Sequence, residues 1–186
     1  MVIALLLATA AVALGVARGG SLDTLASTPL RWVWLLFAGL GLQVGAAVWS
    51  PPWLTRSWAL LVIVLSNLAI LLFIAANRRM PGMLVADLGV ALNLLVIVAN
   101  GAMPVSTEAA RRAGVDTVPV SVALKHEQMT EATELPWLAD VVPLPGVGEV
   151  LSIGDLLLAA GIARLVYART TLAEDGPAPT PSRASG

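Results

Sequence analysis

Five apolar runs, separated by polar breaks, dominate the pattern of hydrophobic and polar positions along this chain. A hydrocarbon core about 30 Å thick takes about 20 apolar residues to cross as a helix, and each run approaches that length. The pattern therefore predicts an all-α membrane protein, a bundle of five transmembrane helices within an integral membrane domain at residues 1–170. The predicted helices cover residues 2–17, 32–49, 57–76, 83–100 and 151–168.

The two ends of the chain need separate interpretation. The run at residues 2–17 has an alternative interpretation as a cleaved signal peptide, because small residues precede Arg18. A signal peptide carries basic residues before its apolar region, and none precedes Val2. We therefore expect this run to be retained as a membrane helix. Residues 171–186 are rich in proline and have little to bury, so we expect a disordered tail.

The composition favours lipid as the solvent for much of the chain. Hydrophobic residues make up 58% of it and charged residues 12%, with a mean hydropathy of +0.84. Soluble domains carry about 25% charged residues, so this chain has too little charge to cover a water-facing surface. Its net charge of −1 and scattered basic residues give no sign of a nucleic-acid-binding surface, so no nucleic-acid partner is expected. The absence of cysteine excludes disulfides, thiolate metal sites and cysteine nucleophiles.

Basic residues near the ends of the predicted helices indicate an orientation, because cytoplasmic loops of membrane proteins are enriched in lysine and arginine. The larger basic group lies on the side that holds the C-terminus. We therefore expect the N-terminus outside the cell, the C-terminus in the cytoplasm and the long loop at residues 101–150 outside. The larger group is Arg18, Arg31, Arg78, Arg79, Arg164, Arg169 and Arg183, and the smaller is Arg56, Arg111, Arg112 and Lys125.

The loop at residues 101–150 has sequence signals for structure of its own. Ser106 is a good helix N-cap and Gly114 a good stop, so a short helix is predicted between them. Alternating valines at residues 118–124 predict an extended segment. The stretch at residues 135–145 is too apolar for free solvent and too rich in proline for a helix. We therefore expect the loop to be structured and to pack on the outer rim of the bundle.

Polar residues inside the predicted spans are candidates for function, because ionisable groups are costly in lipid. Asp87 and Arg164 lie at matching depths in the fourth and fifth helices, which run in opposite directions, so an intramembrane ion pair is expected. Asp155 matches the depth of Asn100 at the outer ends of the same helices. Two interpretations stay open for these groups and for Asn93. They either hold helices together by hydrogen bonds or form a site for protons, ions or lipid headgroups.

A small-residue pattern in the second predicted helix, Gly41-x-x-x-Gly45, is typical of close helix packing. The same device serves packing within one chain and packing between two copies. The pattern therefore predicts a close contact of this helix without naming the partner, and the oligomeric state stays open.

The lone histidine, His126, is the clearest candidate for acid–base chemistry in the loop. A metal site needs three or four ligands, and one histidine with scattered carboxylates does not supply them, so we predict no metal. A solvated or loop-anchoring histidine is favoured, with a general base as the alternative. Ser106 or Ser152 would then be the nucleophile, although neither lies in a nucleophile elbow. No dinucleotide- or phosphate-binding motif is present, and no cofactor is expected.

Six short motifs between about residue 15 and residue 165 carry a resemblance to a known family. They are Arg-Gly-Gly-Ser at 18–21, Asn-Arg-Arg-Met-Pro-Gly at 77–82, Asn-Gly-Ala-Met-Pro-Val-Ser at 100–106, Lys-His at 125–126, Leu-Ala-Asp-Val-Val-Pro at 138–143 and Ser-Ile-Gly-Asp at 152–155. With these motifs the chain resembles the bacterial membrane-protein family known as domain of unknown function 5317. The resemblance implies a multi-pass protein of the bacterial cytoplasmic membrane and implies no particular activity. On the predicted topology its polar residues gather at the outer end, which makes Asn100, His126, Asp140 and Asp155 a candidate polar cluster.

The sequence favours a non-enzymatic membrane component whose external loop binds a partner, a lipid or an envelope ligand. The alternative is a small transporter or lipid-handling membrane enzyme with an outer polar cavity. A polar cavity between the fourth and fifth helices would support the alternative, and a filled bundle would support the first interpretation. The expected partners are the lipid bilayer and an unidentified membrane or envelope protein, with no nucleic acid.

Overall fold

A computed structural model of the chain describes residues 2–48, 55–115 and 126–171, and these residues are mostly helical. The helices are α1 Val2–Ala17, α2 Leu22–Ala26, α3 Val33–Val48, α4 Arg56–Ala76, α5 Met83–Asn100, α6 Thr107–Ala113 and α7 Ile153–Thr171. The described residues between α5 and α7 form four short strands: β1 Met103–Val105, β2 His126–Gln128, β3 Val142–Leu144 and β4 Glu149–Leu151. The 3-10 turn Pro136–Leu138 precedes β3.

Each apolar run of the sequence forms a helix, and the helix ends lie within three residues of the predicted ends. Two of these helices, α4 and α5, are long and apolar enough to cross a membrane, while α1 and α3 are apolar but shorter. The short helix α2 was not predicted. The extended segment predicted at residues 118–124 lies outside the described residues. So does the tail predicted at residues 171–186, apart from Thr171, which ends α7.

The five long helices lie side by side, and their most extensive contacts follow the order α1, α7, α5, α4, α3. A tight turn at residues 77–82 joins α4 to α5 as an antiparallel hairpin. The last long helix, α7, lies between α1 and α5 and runs antiparallel to α5. The order in space therefore differs from the order in the chain, and α5 and α7 occupy the middle of the row.

The contact between α5 and α7, here called the seam, is made by glycines. Gly82 and Gly89 on the α5 side lie against Gly161 and Gly154 on the α7 side. A Cβ added to Gly89 would lie 2.5 Å from the carbonyl oxygen of Gly154, and one added to Gly161 would lie 2.5 Å from the backbone nitrogen of Ala86. On each side of the seam the two glycines are seven residues apart, about two helical turns, so both lie on the same face. The two backbones therefore approach as closely as small-residue interfaces in membranes allow.

The segment between α5 and α7, residues 101–152, is called the cap below, because its described residues cover one end of the helix row. In its described part, β1 pairs with β2 in parallel and β3 pairs with β4 antiparallel. Met103 of β1 and Leu138 pack against Ile63 of α4 and Val96 of α5 in one buried apolar cluster. Ser106 caps the short helix α6, as the sequence predicts, and α6 packs on β3 and β4. The cap is thus continuous with the core of the helix row.

The opposite end of the row, called the turn end, is held by side-chain bonds to backbone. The buried Asn77 accepts a hydrogen bond from the Arg31 N–H at 2.9 Å and donates to the carbonyls of Arg31 at 2.9 Å and Phe73 at 2.8 Å. The Ser21 N–H donates to the Thr170 carbonyl at 2.9 Å. These bonds tie the segment before α3 to the end of α4, and the start of α2 to the end of α7.

Candidate functional site

Three polar side chains meet where the seam reaches the cap. Asn93 Nδ2 donates to Asp155 Oδ1 at 2.8 Å, and Ser152 Oγ donates to Asn93 Oδ1 at 2.8 Å. The Asp155 N–H donates to Ser152 Oγ at 2.9 Å, while the Ser152 N–H donates to Asp155 Oδ2 at 3.1 Å. Ser152 and Asp155 therefore form a capping box at the N-terminus of α7. We call these three residues the seam network.

The seam network corrects one expectation from depth alone. Asp155 bonds to Asn93 and not to Asn100, because α7 begins only at Ile153 and its first turn lies beside a deeper turn of α5. Both carboxylate oxygens of Asp155 accept hydrogen bonds, and the helix N-terminus favours their negative charge. The geometry of Asp155 therefore matches the structural interpretation, in which polar groups join helices.

The cap brings His126 and Asp140 together across β1. Met103 pairs with His126 on one side, and Val105 is bridged to Asp140 on the other. The Asp140 N–H also donates to the Pro104 carbonyl at 3.0 Å. His126 Nε2 lies 3.6 Å from Asp140 Oδ2, with the His126 side chain 24% exposed and the Asp140 side chain 5% exposed. The pair is thus an accessible imidazole against a buried carboxylate.

Asn100 and Arg56 attach the cap to the ends of α5 and α4. Asn100 Oδ1 accepts from the Glu134 N–H at 2.8 Å, and its Nδ2 donates to the Glu134 carbonyl at 3.0 Å and the Val96 carbonyl at 2.9 Å. Arg56 donates to the Asn100 carbonyl at 3.3 Å and forms an ion pair with Glu127 of β2. Asn100 therefore acts as a backbone clamp between a helix end and the cap.

The four residues of the candidate polar cluster fall into separate sets. His126 and Asp140 contact each other, and Asn100 holds the backbone of Glu134. Within the described ranges, the side chain of Asp155 hydrogen-bonds to Asn93 and to Ser152 and to none of the other three. His126 and Asp140 thus lie in the cap, Asn100 ends α5 against the cap, and Asp155 lies at the seam.

The expected ion pair between Asp87 and Arg164 is not formed in the part of the chain that the structure describes. Their sequence neighbours Ala86 and Leu165 are the residues that face the seam. One residue along a helix is a rotation of about 100°, so Asp87 and Arg164 are turned away from the contact. Arg164 is exposed and Asp87 partly exposed. Matching depth does not bring two side chains together when both are rotated off the interface.

The described side chains of the cap and the seam do not form a metal-ligand set. In residues 2–48, 55–115 and 126–171, no group of three or more His, Asp or Glu could hold a metal ion. Both serines considered as nucleophiles act as helix caps: Ser106 Oγ accepts from the Ala109 N–H at 3.3 Å, and Ser152 Oγ belongs to the seam network. The hydroxyls are therefore engaged in structure.

The exposed surface of α6 carries a small charge cluster. Glu108 accepts hydrogen bonds from Arg111 at 2.9 Å and Arg112 at 2.7 Å, and these bonds lower the pKa of its carboxyl. The Glu108 carboxylate is therefore charged and paired at every pH above the ordinary pKa of a carboxyl group. Acidification through the lowered pKa protonates it, and the ion pairs are lost. Because the pairs are exposed to water, they add little to stability.

Sequence reasoning missed the roles of Ser152, Arg56 and Asn77. The signal for Ser152 is present, since Ser-x-x-Asp before an apolar run is a capping box. Arg56 bonds to a residue 71 positions away, and Asn77 to one 46 positions away. No local pattern reveals such partners.

Replacing Asn100 by alanine should release the segment around Glu134 from α5. The substitution removes the partners of both backbone groups of Glu134, at roughly 1 kcal/mol for each hydrogen bond. Amide hydrogen exchange at Glu134 and its neighbours should accelerate on the order of tenfold in the purified protein, as measured by mass spectrometry. Arg112→Ala, at an exposed position of the same cap, should leave this exchange unchanged. If amide exchange around Glu134 in Asn100→Ala equals that of the wild type, Asn100 does not hold this segment to α5.

Comparisons with known proteins identify a family. Residues 27–167 match the family described as "Family of unknown function (DUF5317)". An uncharacterised protein of Thermotoga maritima is 32% identical over 109 residues, which are 56% of this chain and 62% of that protein, so the chain spans less than two thirds of this relative. No solved structure matches. The matched range contains α3 to α6, the cap and most of α7, and the resemblance seen in the sequence motifs is confirmed: the chain belongs to DUF5317, a family of unknown function.

Proposed function

We propose that this is a five-span membrane protein, N-terminus outside and C-terminus in the cytoplasm, whose external cap binds a partner in the cell envelope without catalysing a reaction. The observation that carries the proposal is the closed seam. The backbones of α5 and α7 meet at glycines, and Asn93, Ser152 and Asp155 satisfy one another at the cap end. A polar cavity between these two helices, which the transporter or membrane-enzyme alternative requires, has no room along this contact.

Exposed apolar side chains support insertion of all five long helices. Leu72 on α4 and Leu88 on α5 are each more than half exposed, as are Leu5 on α1 and Val44 on α3. Apolar faces of this extent are suited to lipid and unsuited to water. The more polar α7 lies between α1 and α5 in the middle of the row, so its neighbours shield much of it from lipid. We therefore infer that α7 crosses with them.

The construction of the cap supports a binding role. Trp137 is 62% exposed, although the next residues, Leu138 and Ala139, are buried in the core cluster. An exposed tryptophan on a fixed support is the kind of side chain that dominates protein interfaces. The cap therefore offers an exposed apolar contact point whose sequence neighbours are anchored in the core.

The proposed orientation can be tested by labelling, because the chain contains no cysteine. Glu131→Cys in the cap should react with a membrane-impermeant maleimide on intact cells. Arg79→Cys at the turn end should react only after permeabilisation, and both positions are exposed. Labelling of Arg79→Cys on intact cells would overturn the orientation. Equal labelling of both variants from one side would overturn the insertion of α5.

The binding role can be tested by crosslinking from native membranes. A photoreactive amino acid at Trp137 should crosslink to a defined envelope component, which mass spectrometry identifies. The matched control is Trp34, which is 64% exposed near the turn end and should not capture the same component. The crosslink should also disappear when Asn100→Ala releases the cap. Identical products from Trp137 and Trp34, or no product from Trp137, would contradict the role of the cap.

A further inference from the structure

An apolar groove lies at the turn end, between α3 and α4 on one side and α5 and α7 on the other. Its volume is about 240 Å³. Leu36 of α3, Phe73 of α4, Met83 of α5 and Ile162 of α7 all line it, and the surface of its walls is entirely apolar. The groove is partly open, so a ligand from the surrounding lipid can enter it. Its chemistry suits a hydrocarbon chain.

Three arginines stand near the mouth of this groove. Arg31 directly follows Leu30, which lines the groove, while Arg78 and Arg79 lie in the turn between α4 and α5. Asn77 holds the two segments together through its bonds to the N–H and the carbonyl of Arg31. The fold therefore brings the segment of Arg31 to the turn that carries Arg78 and Arg79, far from it in the sequence.

These three guanidinium groups are unpaired in the part of the chain that the structure describes. Arg31, Arg78 and Arg79 are all exposed, and none forms a side-chain hydrogen bond or ion pair with a described residue. By contrast, Arg56 and both arginines of α6 are paired with glutamates. Among the described residues, these three positive charges at the turn end therefore have no carboxylate partner.

Trp32 indicates the depth in the membrane at which the groove opens. It follows Arg31, is half exposed, and has a φ of 54°, a left-handed conformation that bulky residues rarely adopt. Tryptophan concentrates at the headgroup level of membranes. On the proposed orientation this level belongs to the cytoplasmic leaflet.

We propose that the groove binds one acyl chain of an anionic phospholipid of the cytoplasmic leaflet, with the lipid phosphate held by Arg31, Arg78 and Arg79. Guanidinium groups donate paired hydrogen bonds to phosphate oxygens, and the apolar walls accept the chain. Basic pockets between helices on the cytoplasmic side suit anionic headgroups. The proposal goes beyond the binding role of the cap. It rests on the proposed function only in requiring that the helices cross the membrane in the proposed orientation.

The charge requirement is tested with the full chain in nanodiscs of equimolar phosphatidylglycerol and phosphatidylcholine. Native mass spectrometry after release should show phosphatidylglycerol retained in preference to phosphatidylcholine. Arg78→Gln with Arg79→Gln should weaken phosphatidylglycerol binding about 25-fold, at about fivefold for each arginine. Arg111→Gln with Arg112→Gln removes the same charge from the cap and should bind like wild type. No preference in the wild type, or wild-type binding in the Arg78/Arg79 variant, overturns the proposal.

The apolar requirement is tested by filling the groove. Ile162→Trp should abolish phosphatidylglycerol retention, whereas Leu88→Trp, the same residue introduced on an exposed face of α5, should not. Circular dichroism shows whether Ile162→Trp is folded, and Leu36→Trp replaces it if not. Full retention in a folded groove variant overturns the proposal. If the wild type shows no lipid preference but Glu131→Cys and Arg79→Cys label as expected, this proposal alone is overturned. If the two cysteines label from the wrong sides, the proposed insertion is overturned.

Discussion

Gly161→Ala should destabilise the protein by about 1–3 kcal/mol, because one added methyl group forces α5 and α7 apart. The new Cβ would lie 2.5 Å from the backbone nitrogen of Ala86 and 2.7 Å from the carbonyl oxygen of Gly82. Both are backbone atoms, so no side-chain rotation relieves the clash. The free energy of unfolding in detergent, followed by circular dichroism during denaturant titration, measures the effect.

Matched controls for this substitution lie in α3. A Cβ at Gly41 or Gly45 has nothing within 4 Å, so alanine there should be neutral or stabilise by up to about 1 kcal/mol through its better helix propensity. Wild-type stability of Gly161→Ala would contradict the closed seam. A loss at Gly41 equal to that at Gly161 would show that another molecule packs on α3.

Asp155→Asn is expected to destabilise the protein by about 1–3 kcal/mol, although the two side chains have nearly the same shape. Asp155 accepts from Asn93 Nδ2 with one oxygen and from the Ser152 N–H with the other. Asparagine offers one oxygen and one NH2 group, so a donor must face a donor. The N-terminus of α7 also loses a favourable negative charge.

The same unfolding titration measures this loss, and Asp87→Asn is its control. Asp87 has no hydrogen bond or ion pair within the described residues, so its replacement should change stability by less than about 0.5 kcal/mol. Adding Asn93→Asp to Asp155→Asn reverses donor and acceptor and should recover part of the loss, as a double-mutant cycle would show. Unchanged stability in Asp155→Asn would contradict the structural role of the network.

The small-residue contacts show how far sequence reasoning reached. The pattern Gly41-x-x-x-Gly45 is the expected sign of close packing, yet within the described chain both glycines face open space. The glycines of the seam are spaced by seven residues instead: Gly82 and Gly89 on the α5 side, and Gly154 and Gly161 on the α7 side. A four-residue spacing and a seven-residue spacing both keep glycines on one helix face. Which face meets another helix depends on the neighbouring helices, and a single segment does not contain that information.

The candidate site divides in the same way. The motifs placed His126 and Asp140 in one candidate cluster with Asn100 and Asp155. The contact between His126 and Asp140 runs through β1, which pairs with segments from two different parts of the cap. Asp87 and Arg164 looked equally suited by depth, and the rotation of their helices separates them. The depth of a residue in the membrane follows from its position along one helix. Whether its side chain faces a neighbouring helix depends on how the two helices pack together.

By itself, the sequence determined the positions of the five long helices, the short capped helix α6 and the family. Apolar run length, N-cap residues, and helix-ending glycine and proline act through neighbouring residues, so they can be read along the chain. Only the tertiary structure decided that α7 lies between α1 and α5, that Asp155 bonds to Asn93, and that Asn77 brings Arg31 to the turn end. These outcomes depend on how whole helix surfaces fit together, because the packing of helix faces and the hydrogen bonding of buried polar groups are settled across all the helices at once.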